Sequence, residues 1–188
     1  MIIENEKERE LLRECGKRLG TLLQEVSACV VPGVTLKELD ALAQKMIKDW
    51  GDKPAFLGYK GRKDKHPFPA ALCTSVNDGL VHGIPSDYEI KGGDIVKLDC
   101  GIIHEGFYTD SALTVAVGEI TAREQELIDA TKKALEAHQD TEHQFHGTFI
   151  RERLDLYQPE RDRKPIIIQI VDNPSLHSDS LIETLLEI

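Results

Sequence analysis

The sequence predicts an α/β (α+β) fold, an antiparallel sheet packed by helices, on three observations. Two leading segments repeat apolar residues at helical spacing, three later runs rich in β-branched residues are divided by turn residues, and another helix-like segment follows them. At 188 residues the chain is long enough for one folded unit with a sizeable core.

From Glu4 to Cys29, Leu11, Leu12, Cys15, Leu19, Leu22, Leu23 and Val26 recur at three- and four-residue intervals, the mark of an amphipathic helix, and Pro32-Gly33 ends it. Thr35 with Glu38 three residues on forms a capping-box signature. The stripe Leu36, Leu39, Leu42, Ala43, Met46 and Ile47 carries a second helix to about Trp50. Glycine, proline and lysine then dominate, and Gly58 to Pro69 reads as a mobile loop over a site or a sheet edge. Strands are expected at Ala70 to Val76, Asp94 to Ile103 and Phe107 to Val117. Thr121 and Glu124 open a further helix, which runs to about Ala137. Beyond it come a polar, histidine-containing segment, the charged stretch Arg151 to Lys164, an apolar run Ile166 to Val171 and a helical piece Ser180 to Ile188. The change of character divides the chain into 1–137 and an unassigned tail, 138–188.

With 33 acidic against 23 basic residues the net charge is −10, which argues against nucleic acid or an anionic membrane as partner. Cys15, Cys29, Cys73 and Cys100 are widely spaced and are expected to be reduced, mostly buried thiols. Met1 to Arg9 lacks the apolar core of a signal peptide, and no stretch is apolar enough for a membrane helix, so a cytoplasmic location is expected.

The most informative pattern is a hairpin, Asp94 to Ile103 followed by His104-Glu105-Gly106 and Phe107 to Thr114. A His104-Glu105 loop sets Asp99 directly opposite Asp110; a Glu105-Gly106 loop makes them diagonal neighbours on the same face. Both place two carboxylates roughly 5–8 Å apart at Cβ. Like charges so placed repel, and desolvation adds to the cost unless a cation lies between them. Two readings are open from spacing alone: both side chains in solvent, or a divalent-cation site.

The flanking words narrow this choice. Ala55-Phe-Leu-Gly-Tyr59, Leu72 to Asp78, Val81-His-Gly-Ile-Pro-Ser86, Gly93 to Gly101 and Gly106-Phe-Tyr-Thr-Asp-Ser111 resemble the consecutive blocks of type I methionine aminopeptidases, in the same order, over roughly residues 3–137. The resemblance implies a pita-bread fold, two divalent ions (Co, Mn, Fe or Zn) and removal of methionine from the N-terminus of nascent polypeptides. It implies that Asp99 and Asp110 are metal ligands and that His82 hydrogen-bonds the substrate near the scissile amide. It also implies that Phe56 and Tyr59 line the pocket for the methionine side chain. Departing from the family, Gly61 to Phe68 is longer and more charged than its usual tight link.

The family also uses a histidine in a G-H-G-type block, a glutamate before a proline and a last glutamate; these three blocks are not found here. The tail offers His138, His143, His146 and His177 instead, and Glu183 with Glu187 on its helical piece. The expected fold is therefore an incomplete pita-bread half, with an exposed sheet edge that the Ile166 to Val171 run or a second copy would cover. The function expected is a metalloaminopeptidase, weak or inactive if truncated, with the ribosome as a further partner. The alternatives are a silent peptide-binding module and a truncated gene product.

Overall fold

The computed structural model describes residue 3 and residues 5–62, 65–140 and 168–170. Helix α1 spans Glu6–Ala28 and α2 Leu36–Asp49; strands β1 (Lys53–Pro54), β2 (Leu72–Val76), β3 (Ile95–His104) and β4 (Phe107–Ala116) follow, then helix α3 (Ala122–Asp140) and strand β5 (Ile168–Ile170).

Each helix starts where the sequence supplies a cap. Asn5 Oδ1 accepts from the Glu8 amide at 3.0 Å, and Thr35 and Glu38 close a reciprocal capping box on α2. Thr121 and Glu124 repeat that box at α3, which continues through Ala137 to Asp140. Most of the predicted stripes is buried, Leu12, Cys15, Leu19, Leu22, Leu23 and Val26 on α1 and Leu36, Leu39, Ala43 and Ile47 on α2, while Leu11, Leu42 and Met46 are half-buried.

β3 is the central strand. β4 runs antiparallel along one edge, while β1 and β2 lie end to end along the other. On the far side of β4, β5 pairs in parallel, with Asp110 opposite Ile168. The Ile166 to Val171 run thus adds a strand to that edge, as one of the two expectations held. The terminal helical piece, His143, His146, His177, Glu183, Glu187 and the side chain of His138 lie outside the described residues.

Alternation along β3 separates two faces. Val96, Leu98, Cys100 and Ile102 point into the core against α1 and α2, whereas Lys97, Asp99 and Gly101 point the other way. Cys15, Cys73 and Cys100 are buried and Cys29 exposed, all four as free thiols.

Two buried polar contacts fix the elements under the sheet. Asp40 on α2 accepts from the amides of Ala71 and Leu72, each at 2.9 Å, while its second oxygen accepts from Gln44 at 2.7 Å. These bonds tie the start of β2 to α2. At the hairpin end, Asp52, with its side chain 3% exposed, takes Arg18 at 3.1 Å and pairs with His104 Nδ1 at 2.7 Å.

Asp40→Ala would leave two buried amides without an acceptor. We expect a loss of about 2–4 kcal/mol, read as a lower urea midpoint with unchanged slope; an unchanged midpoint would show that β2 does not depend on this carboxylate.

Candidate metal-facing site

The turn that sets the site is Glu105-Gly106, with φ +48° and +87°, the left-handed pair of a tight hairpin. It selects the second of the two registers: Asp99 pairs with Ala112, and Asp110 pairs with Gly101. Direct opposition of Asp99 and Asp110 is thereby ruled out, because a His104-Glu105 loop would leave Gly106 to open a strand instead of supplying the turn's second positive φ. The carboxylates are diagonal neighbours on the face turned away from the core, each opposite a residue too small to fill the space above it.

Their carboxyls lie close enough to influence each other's ionisation. Burial, then the charge and proximity of Asp99, push the Asp110 carboxyl up to about 7. Burial also raises Asp99, against the opposing effects of Asp110 and of His82. Among the described residues neither aspartate forms an ion pair with lysine or arginine. Lys97, on the same face two residues before Asp99, instead donates from Nζ to the Asn77 carbonyl at 2.6 Å.

Register brings a third group to the pair. Cys73 on β2 lies opposite Asp99, and burial, followed by the charges of Asp99, Asp110 and Asp40, pushes its thiol up to about 12. Cys73 is a neutral wall of the site. Sequence reasoning did not single it out, because only the β2–β3 register places it on this face.

His82 is exposed and sits at φ +59°, a conformation uncommon for residues other than glycine. Its neighbour holds it there. Gly83 accepts from the Thr74 amide through its carbonyl at 2.8 Å and donates its own N–H to Ser75 Oγ at 3.0 Å. A Cβ on Gly83 would stand 2.0 Å from the Thr74 carbonyl oxygen, so this close approach to β2 requires glycine.

Phe56 arrives from the other end of β3. Pairing of β1 with Ile103 and Ile102 continues into an Ala55 amide bond to Gly101 O at 2.9 Å, which carries Phe56 over Gly101. A Cβ on Gly101 would meet the Phe56 ring at 2.9 Å. Phe56 therefore sits on the ladder position facing Asp110 and packs edge-to-face against Phe68 at 6.4 Å. Tyr59, 45% exposed, lies on the same turn through its amide bond to Phe56 O at 2.9 Å. Of the five residues singled out from sequence, Asp99, Asp110 and Phe56 share the outer face of β3 and β4, His82 precedes the glycine packed on β2, and Tyr59 lies on the turn that follows Phe56.

The chemistry of this donor set limits what it holds. Two carboxylates offer four oxygens at most, and hard divalent ions take six or more ligands. Among the described residues no group of three or more His, Cys, Asp or Glu side chains gathers in metal-binding geometry. The aspartates fit part of a cation's shell and no more.

Comparison with known proteins shows the family and the fold. A family profile described as metallopeptidase family M24 matches residues 10–144. The methionine aminopeptidase of Clostridium perfringens is 42% identical over 134 residues, which are 71% of this chain and 51% of that protein. The crystal structure of the methionine aminopeptidase from Thermotoga maritima superposes with a TM-score of 0.66 at 37% identity, covering 73% of this chain and 53% of the other. A prolidase from Pyrococcus horikoshii, at 20% identity and a TM-score of 0.60, shares the fold. The chain spans about half the length of the curated relatives it matches.

The raised Asp110 carboxyl sets a pH dependence. Between the unfolded value near 3.9 and about 7 the folded state binds more protons, so stability of the metal-free protein falls as pH rises through that window and levels off above it. Asp110→Asn offers a donor to Asp99 and removes the repulsion. It should flatten the slope and raise the Tm at pH 7.5, by roughly 2–4 °C per kcal/mol recovered. A Tm lower than wild type at that pH would show that the pair is not under strain. Gly83→Ala should displace His82 from the site, visible as altered imidazole NMR shifts with the helices intact; unchanged shifts would show that the close approach to Thr74 is dispensable.

Proposed function

The chain belongs to metallopeptidase family M24, and from that membership we propose that it acts on polypeptides bearing an N-terminal methionine, as a methionyl aminopeptidase or the substrate-facing half of one. Membership implies divalent metal ions. The observation that carries the reading is the unneutralised Asp99–Asp110 pair with Phe56 seated beside it, an arrangement whose cost a bound cation removes.

In this reading Asp99 and Asp110 hold the cation side of the site, with Co, Mn, Fe or Zn as the ion. When bound, such ions supply an activated water for amide hydrolysis. The rest falls to the chain's own groups. His82, held forward by Gly83, donates a hydrogen bond toward the oxygen of the scissile amide, where negative charge develops. Phe56 and Tyr59 form an apolar and aromatic wall suited to a thioether side chain. Cys73, neutral at physiological pH, lines the floor without competing as a charged ligand.

A partner surface follows from the same loop. Leu80, Val81 and Ile84 around His82 are 81%, 61% and 57% exposed, an apolar rim that a second copy of the chain would cover. Association with the ribosome in the cytoplasm is the setting in which new N-termini would reach such a site. Residues 1–137 form the aminopeptidase-like part, and 138–188 stand apart from it in character.

Hydrolysis of a Met-Ala-Ser peptide with added Co, Mn or Fe tests this, with Asp110→Ala expected to lower the rate at least 100-fold. Binding of the peptide without cleavage would favour a silent peptide-binding module, which the small donor set among the described residues also suits. Absence of cleavage, of peptide binding and of metal uptake together would overturn the proposal.

A further inference from the structure

The loop between Tyr59 and Phe68 carries charge that the site described above does not use. The chain as a whole is acidic, at −10, yet residues 60–65 hold four basic residues against one acidic. Lys60, Arg62 and Lys65 are exposed. The base of this loop is pinned: the Gly58 amide donates to Phe68 O at 2.8 Å, and the Phe68 amide donates to Tyr59 O at 2.7 Å. The chain thus leaves and re-enters at one point. Phe68 packs on Phe56, and Phe56 covers the ladder position opposite Asp110. The cations therefore rise from the rim of the site face, a few residues' reach from the carboxylate pair.

Two opposite signs then stand side by side, a negative pair in the floor and a positive rim above the aromatic wall. A peptide with a free ammonium N-terminus and acidic side chains shortly after it matches both signs along its length. Nucleic acid matches only the rim and is repelled by the floor and by the net charge of the chain. An extended peptide advances about 3.3 Å per residue, so the side chains that follow the first two residues are the ones to pass the rim.

Resting on the reading given above, we propose that Lys60, Arg62 and Lys65 form a specificity subsite for acidic side chains just downstream of the N-terminal residue of a bound peptide. The contribution is that of exposed charge pairs, modest and sensitive to salt.

The test is fluorescence anisotropy of C-terminally labelled Met-Ala-Glu-Glu and Met-Ala-Lys-Lys peptides on the full chain, at low and high salt, with cleavage followed in parallel. At low salt the acidic peptide should bind roughly 2–20-fold more tightly. This ratio should collapse toward one at high salt and in the triple variant Lys60→Ser, Arg62→Ser, Lys65→Ser, whose changes are all on exposed positions. N-acetylation of the acidic peptide should weaken its binding, because the floor recognises the free ammonium. Equal affinity for both peptides, or a ratio kept by the triple variant, overturns the subsite while leaving the aminopeptidase reading in place. Undiminished binding of the acetylated peptide, or tighter binding of a uridine oligonucleotide than of either peptide, shows a general anion patch and overturns it too. Failure of both peptides to bind sinks the subsite together with the reading beneath it.

Discussion

The Asp99–Asp110 pair is the constraint around which the outer face of this sheet is arranged. Two carboxyls on neighbouring ladder positions, partly buried and without a cation from the described residues, are both held above the usual carboxylate range. Packing alone gives no reason for such a pair. A hairpin of this length is stabilised by its core-facing residues, and any small polar side chain would satisfy the outer face at less cost. The nearest lysine on the same face spends its ammonium on the Asn77 carbonyl. Among the described residues the pair therefore has no cationic partner.

Everything else at the site follows from bringing backbone close to that pair. Gly101 allows Phe56 to lie beside Asp110, and Gly83 allows the His82 turn to lie on β2; in both cases a Cβ would collide with atoms that define the site. Asp40 does similar work from below, since its carboxylate sets where β2 begins and hence that Cys73 faces Asp99. Small residues open the space, and a buried acid fixes the frame.

Much of this was legible in the sequence, and the part that was not has a common cause. Both leading helices, their caps and the long hairpin follow from local signals: period, capping residues and turn chemistry. That Asp99 and Asp110 share a face also followed, because both even-numbered turns preserve it. Choosing between the two registers depended on which residues take positive φ, and Gly106 favoured the Glu105-Gly106 turn. β1 escaped notice because two residues ending in proline have no period; only bonding to β3 makes them a strand. Cys73 and Asp40 escaped for a related reason. Their roles arise from contacts between segments distant in sequence, and Asp40 reads locally as one more polar residue on a helix.

The other face of the same hairpin supplies an internal comparison. There Asp52 is just as buried as an acid can be in this fold, and it is fully partnered, by Arg18 from α1 and by His104 at the end of β3. Glu14 joins through Arg18 at 2.7 Å, extending the pairing to the surface. Acids therefore meet this hairpin at both faces, Asp52 from the segment before β1 and the Asp99–Asp110 pair from the strands themselves, and they are treated in opposite ways. On the core side each charge has its counterpart within hydrogen-bond reach, as a buried acid requires. On the outer side two acids are brought together with no cation from the described residues. A fold able to neutralise Asp52 so completely could have done the same for Asp99 by turning Lys97, two residues before it, toward it. That it does not argues that the countercharge on this face comes from beyond the described residues, as a cation, a substrate ammonium, or both.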